Sequence, residues 1–256
     1  MAMPEKPKEP NLQNKSHFRE WIENNTRLIR IGILLLALLL YFLVLPAPIR
    51  IIFESAFRNS RILTIMLVIF SLLMVSLIWS AGQELDKLVF LYINFHGKRP
   101  LWLDRLMLGF TQLGNGLTSV ILAVVVYWKN PILTYEILLG TITLWLVVEF
   151  LKFLVRRSRP FIRITETRIV GLRARGRSFP SGHTSQAFFA ATLLIQYFEV
   201  NVWIAILLYA AALLVGITRM YIGAHYPRDV LAGAVLGTVW GFLGTVIESY
   251  WQLGVG

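Results

Sequence analysis

Apolar residues in this chain come in long unbroken runs of leucine, isoleucine, valine and alanine, divided by short polar breaks, without the alternation of a half-buried strand. A helix rising 1.5 Å per residue needs about 20 such residues to cross a bilayer. Seven runs approach that length: Leu28 to Leu45, Ile62 to Ala81, Leu106 to Trp128, Ile132 to Val155, His183 to Tyr197, Val202 to Tyr221 and Val230 to Tyr250. Backbone groups in lipid must be satisfied within their own segment, which predicts helices, and a closed barrel would show short alternating segments instead. The pattern therefore predicts an all-α fold, a polytopic transmembrane helix bundle. Residues 1–27, with Pro4, Pro7 and Pro10, read as a polar tail, residues 28–61 as an extra apolar segment and loop, and residues 62–256 as the membrane-embedded domain. In the last run Gly233, Gly237 and Gly241 share one face, where a second helix can approach closely.

Two stretches are too polar for lipid: Gly82 to Arg105, and Lys152 to Pro180. From Lys152 to Arg177 the second holds nine Lys or Arg and one acid, Glu166, so it is an anion trap or a topology signal. With 56% hydrophobic and 15% charged residues and a mean hydropathy of +0.64, a water-soluble globule is excluded. The net charge of +11 is interleaved with apolar runs, which favours anionic lipid or phosphate as partner and disfavours nucleic acid. There is no cysteine, so disulfides and thiolate metal sites are ruled out.

Three polar clusters stand at the edges of apolar runs, where desolvation is costly for residues that are not used. Lys152, Arg159 and Pro160 form the first, the lysine at a helix end and the arginine in the loop beyond it. Pro180, Ser181, Gly182 and His183 form the second. Ser181 suits a helix N-cap, and Gly182 lets unpaired amides of the first turn approach an anion. Arg219, His225 and Asp229 form the third, with the carboxylate placed to hold the histidine ring through one nitrogen and leave the other free to attack. Two runs separate the second cluster from the third, so all three face one side of the membrane. Three cations, two histidines and a nest of amides suit a phosphoryl group better than a carbonyl.

These motifs, K-x6-R-P, P-S-G-H and R-x5-H-x3-D, resemble the type-2 phosphatidic acid phosphatase superfamily, with Thr218 where the family has serine. The resemblance covers roughly Ile62 to Tyr250 and implies a six-span core, to which the first apolar run is an addition. It implies that His225 attacks phosphorus, Asp229 orients it and His183 protonates the departing lipid oxygen. Lys152, Arg159 and Arg219, with Ser181 and Gly182, would hold the phosphoryl oxygens. A metal-independent lipid phosphate phosphatase without cofactor follows, acting through a phosphohistidine on phosphatidic acid, phosphatidylglycerophosphate or a polyprenyl pyrophosphate. No carboxylate cluster near the motifs meets magnesium's demand for oxygen ligands.

Two rival readings are a lipid transporter or lipid-binding protein using the same anion pocket, and a soluble vanadate-dependent haloperoxidase, which the continuous runs oppose. Arg156, Arg157, Arg163, Arg168, Arg173, Arg175 and Arg177 read as snorkelling anchors, and Gly114-Asn115-Gly116 as a turn. The resemblance implies a bacterial cell membrane with the mouth facing away from the cytoplasm. Seven full crossings put the N-terminus on the mouth's side, whereas a first run that dips in and returns at Pro46 and Pro48 puts it opposite.

Overall fold

The computed structural model describes residues 61–77, 80–94 and 99–252, together with scattered positions between Thr26 and Val44. The rest of the polar tail, most of Leu28 to Leu45 and the loop after it lie outside the described residues. The chain divides into Met1–Pro46 and Ala47–Gly256. In the first unit the described positions are helical, and Ile29, Ile33, Leu36, Leu40 and Leu43 are exposed.

Among the described residues the regular elements of the second unit are all helices: α1 (Arg61–Ser76), α2 (Ser80–Asn94), α3 (Leu101–Thr111), α4 (Gly116–Tyr127), α5 (Pro131–Val155), the short α6 (Pro160–Arg163), α7 (Gly182–Tyr197), α8 (Val202–Tyr221) and α9 (Pro227–Gln252). Among the described residues α5 and α8 are long and apolar enough to cross a membrane alone, and counting α1/α2 and α3/α4 as one span each raises the number to four. On α5 the outward residues Leu139, Ile142, Trp145, Leu146, Phe150 and Phe153 are all exposed, an apolar face that only lipid can accommodate. The inward Leu133, Ile137, Leu144, Val148 and Leu151 pack with Phe189 and Leu193 of α7.

Helix α7 is the centre of the bundle, and α9 lies along it by virtue of its glycines. A Cβ on Gly233 would stand 2.6 Å from the Ser181 carbonyl oxygen, and one on Gly237 would stand 2.2 Å from that of Ser185. At Gly241 it would meet Thr192 Cβ at 2.6 Å. Small residues at four-residue spacing thus set the helix separation, as the sequence pattern implies.

The run from Leu106 to Trp128 is not one continuous helix. Residues Gln112–Gly114 form a 3₁₀ turn, and Asn115 caps a new helix by accepting from the Leu117 amide at 3.2 Å. The two arms meet at 61°. A Cβ on Gly114 would lie 2.3 Å from the His183 carbonyl oxygen, so the break lets this segment press against the first turn of α7. The Gly-Asn-Gly turn is therefore also a wall of the site described below.

Part of the polar stretch Gly82 to Arg105 forms α2, whose Asp86 and Asn94 are buried. Asn94 pins the basic loop: its Nδ2 donates to the carbonyl oxygens of Arg168 at 2.9 Å and Tyr221 at 2.8 Å, and its Oδ1 accepts from the Arg168 amide at 2.8 Å. Arg168 itself pairs with Asp104, which also accepts from the Tyr221 hydroxyl at 2.6 Å. It is an internal tie and not the snorkelling anchor its sequence context suggests.

Candidate active site

Helix α5 starts at Asn130, whose side chain accepts from the Leu133 amide, with Pro131 in the first turn. It places Lys152 in its last turn and ends at Arg156, which takes a left-handed φ of 51°. That reversal sends residues 157–159 back under the end of the bundle. From α7 come Gly182 and His183, from the last turn of α8 Arg219, and from the connection to α9 His225. The connection turns at Gly223, whose φ of +83° and close approach to the Arg168 carbonyl oxygen leave no room for a side chain.

Lys152, Arg159, Gly182, His183, Arg219 and His225 line one cavity of ≈ 570 Å³. The three sequence clusters therefore converge. Lys152 Nζ sits 2.7 Å from Glu149 Oε1. Arg219 donates from Nη1 to Thr111 Oγ1 at 2.9 Å, while its buried Nε meets no acceptor among the described residues. Arg159 is anchored by the carbonyl oxygens of Gly176, Arg175 and Ala224.

The histidine geometry fixes a tautomer. Arg159 Nη1 lies 3.2 Å from His225 Nε2, and a guanidinium only donates, so Nε2 is an acceptor and carries the lone pair. The proton sits on Nδ1, which donates to the Ser178 carbonyl oxygen at 2.7 Å. Burial pushes this imidazole down to about 3; the nearby Asp229 carboxylate opposes the shift and the Arg159 and Arg219 guanidiniums add to it. At neutral pH the ring is an uncharged base with Nε2 turned toward the cavity cations.

Asp229 and Ser181, both fully buried, stand behind the cavity wall. Asp229 Oδ2 is 3.7 Å from His225 Nδ1, too far for a direct hydrogen bond, because the Ser178 carbonyl oxygen holds that position. Its Oδ2 accepts instead from the Tyr226 amide at 2.9 Å, and its Oδ1 from Arg157 at 2.6 Å. Ser181 occupies the N-cap position of α7, but its hydroxyl is hydrogen-bonded to Thr184 Oγ1 at 2.8 Å and makes no cap bond.

Residues outside the motifs complete the site. Arg157 is half-buried between Asp229 and Asp86, its guanidinium 4.2 Å above the Tyr226 ring, so the snorkelling reading fails for it too. Arg228 donates to Asp86 from its Nε at 2.7 Å and from its amide at 3.1 Å. Nothing in the sequence singled Asp86 out, since it stands in the polar first half of α2 beside Gln83, Glu84 and Lys87.

Residues 133–252 match the PAP2 superfamily. An undecaprenyl-diphosphatase of Sulfolobus acidocaldarius is 36% identical over 102 residues, 40% of this chain and 48% of the relative, so the match spans about half that protein. A lipid A 4'-phosphatase of Bacteroides thetaiotaomicron is 31% identical over 176 residues, 63% of this chain and 76% of the relative. The crystal structure of a transmembrane PAP2-type phosphatidylglycerolphosphate phosphatase from Bacillus subtilis superposes with a TM-score of 0.65 over 75% of this chain and 98% of its own, at 24% identity. That likeness establishes the fold, and with the apolar helices it makes this an integral membrane protein.

Proposed function

The chain belongs to the PAP2 superfamily, and from that premise we propose that it is a membrane phosphatase hydrolysing a lipid phosphomonoester or diphosphate, with His225 as nucleophile and no metal. The observation that carries this reading is the tautomer: Nε2 of a neutral, buried His225 holds its lone pair among Arg159, Arg219 and Lys152. Before substrate enters, Arg159 caps that lone pair. Phosphoryl oxygens are stronger acceptors for a guanidinium, so their arrival draws Arg159 away and frees Nε2 as phosphorus comes into reach. Attack forms the N–P bond and breaks the bond to the lipid oxygen, which takes a proton from His183. Water, giving its proton back to His183, then cleaves the phosphohistidine and releases phosphate. Fixed cations stabilise the charge spread over the equatorial oxygens throughout. Metal independence is supported by Asp229 and Asp86, whose oxygens are already taken by Arg157, Arg228 and backbone amides.

The purified protein should release phosphate from lipid phosphates in excess chelator, and orthovanadate, which adopts the five-coordinate shape of phosphorus in flight, should inhibit competitively. Activity that vanishes in chelator and returns with magnesium would overturn the metal-free chemistry.

We also place the mouth away from the cytoplasm. The chain has no cysteine, so Leu172→Cys in the exposed loop beside the cavity and Phe198→Cys beyond the far end of α7 provide clean probes. An impermeant thiol reagent added outside intact cells should label the first and spare the second. The reverse pattern would invert the topology.

A further inference from the structure

A second cavity, of ≈ 340 Å³, adjoins the first and shares Lys152, Gly182 and His183 with it. Ile142, Trp145 and Val148 of α5 give it apolar walls, with Gly114, Asn115 and Gly116 of the α3/α4 break opposite. Three polar side chains stand among those walls: Glu149, which is paired with Lys152 at 2.7 Å, and Thr141 and Gln186, which are not so paired. Thr141 Oγ1 and Gln186 Oε1 are buried without a hydrogen-bond partner among the described residues, in residues 8% and 7% exposed. The amide orientation of Gln186 is determined by its neighbour: the atom 3.0 Å from the Thr141 carbonyl oxygen must be the nitrogen, since a carbonyl cannot donate. The oxygen is left as an acceptor needing a donor.

Gln186 follows His183 by three residues, so the two lie on one face of α7 with Cβ atoms about 5–6 Å apart. If His183 meets the leaving oxygen, a substrate atom two or three bonds from that oxygen faces Gln186. We propose that this side cavity holds the portion of the lipid next to the phosphate. There, Gln186 and Thr141 select lipid phosphates that carry a hydrogen-bond donor, a hydroxyl or an amide N–H, over polyprenyl phosphates that carry none. The proposal rests on the phosphatase reading above. A donor-bearing lipid satisfies Gln186 Oε1, whereas an isoprenoid leaves it buried and unpaired, the asymmetry by which a polar site rejects an analogue lacking the polar group. The apolar walls then receive hydrocarbon.

The test uses the full chain in detergent and matched substrates. One pair is a 1-acylglycerol 3-phosphate and its 2-deoxy analogue; the other is a 2-acylamido sugar 1-phosphate lipid and its 2-acyloxy counterpart; farnesyl phosphate supplies the bare hydrocarbon. Wild-type kcat/KM should favour the donor-bearing member of at least one pair by about 10-fold or more, and exceed that for farnesyl phosphate. The pair showing the larger ratio identifies the source of the donor, glycerol hydroxyl or sugar amide. Ratios near one in both pairs, or farnesyl phosphate as the best substrate, overturn the proposal. Gln186→Met and Thr141→Val keep side-chain volume and should shrink the ratio; a ratio unchanged in both variants overturns their assignment. The wild-type ratios decide the matter if a variant fails to fold. Failure of the phosphatase reading would look different: no phosphate from any of the five lipids.

Discussion

Replacing His225 with alanine is expected to cut phosphate release by about 10⁴-fold or more, because no neighbouring side chain offers a lone pair where Nε2 stands. The alanine also strips the Ser178 carbonyl oxygen and Arg159 of a partner in a buried place, so loss of activity alone could reflect loss of fold. His225→Asn separates the two. An asparagine amide can still donate toward the Ser178 carbonyl oxygen yet cannot attack phosphorus. It should therefore elute and melt like the wild type while remaining inactive. Radiolabelled substrate quenched in alkali should leave label on the wild type and none on either variant, and near-normal turnover by His225→Asn would remove the phosphohistidine from the mechanism. Stability supplies an independent check of sign. The ring is held at about 3 when folded, against about 6.5 unfolded, so between those values the unfolded chain binds a proton the folded chain refuses. The wild type should lose stability as pH falls through that window, and His225→Asn should lack this component.

The helices and the convergence of the candidate site residues were legible in the sequence for physical reasons that apply residue by residue. Apolar runs bounded by Pro131, Asn201 and Pro227 could hardly fold otherwise, and the Gly233, Gly237 and Gly241 face requires a close neighbour. Lys152, Arg159, His183, Arg219 and His225 were candidates because a membrane protein does not keep such groups at span edges idly, and they do converge on one cavity. Less visible was whatever depends on the backbone. The acceptor for His225 Nδ1 is a main-chain carbonyl, that of Ser178, and carbonyls have no residue-type signature. The break at Gln112–Gly114 was only half legible: Gly114-Asn115-Gly116 read as a turn, but flanks as apolar as a continuous span hid that the helix ends there. Arg157 was hidden among nine basic residues, since nothing in a one-dimensional charge run says which arginine turns inward; that depends on the reversal at Arg156.

That hidden arginine is expected to be the most sensitive residue outside the three motifs. Arg157 donates to Asp229 on one side and Asp86 on the other, and both carboxylates are essentially inaccessible, at 0% and 2% exposure. Removing one partner of a buried pair leaves an uncompensated charge, at a cost of about 3–5 kcal/mol, whereas the intact pair contributes far less than that. Arg157→Gln strips two carboxylates at once, although Arg228 still serves Asp86 and the Tyr226 amide still serves Asp229. Asp86→Asn leaves Arg157 with Asp229 and keeps an oxygen for Arg228, so it should be the milder change. The expected order of melting temperature in detergent is wild type, then Asp86→Asn, then Arg157→Gln. Turnover should fall in the same order, because an Asp229 freed from Arg157 can swing the short distance to His225 Nδ1 and disturb its bond to Ser178. Combining the two substitutions should cost less than the sum of the single effects, since each removes part of the same network. Additive losses would mean that Asp86 and Arg157 act independently, and an Arg157→Gln protein as stable and active as the wild type would show that the guanidinium between the two aspartates has no part in holding the nucleophile.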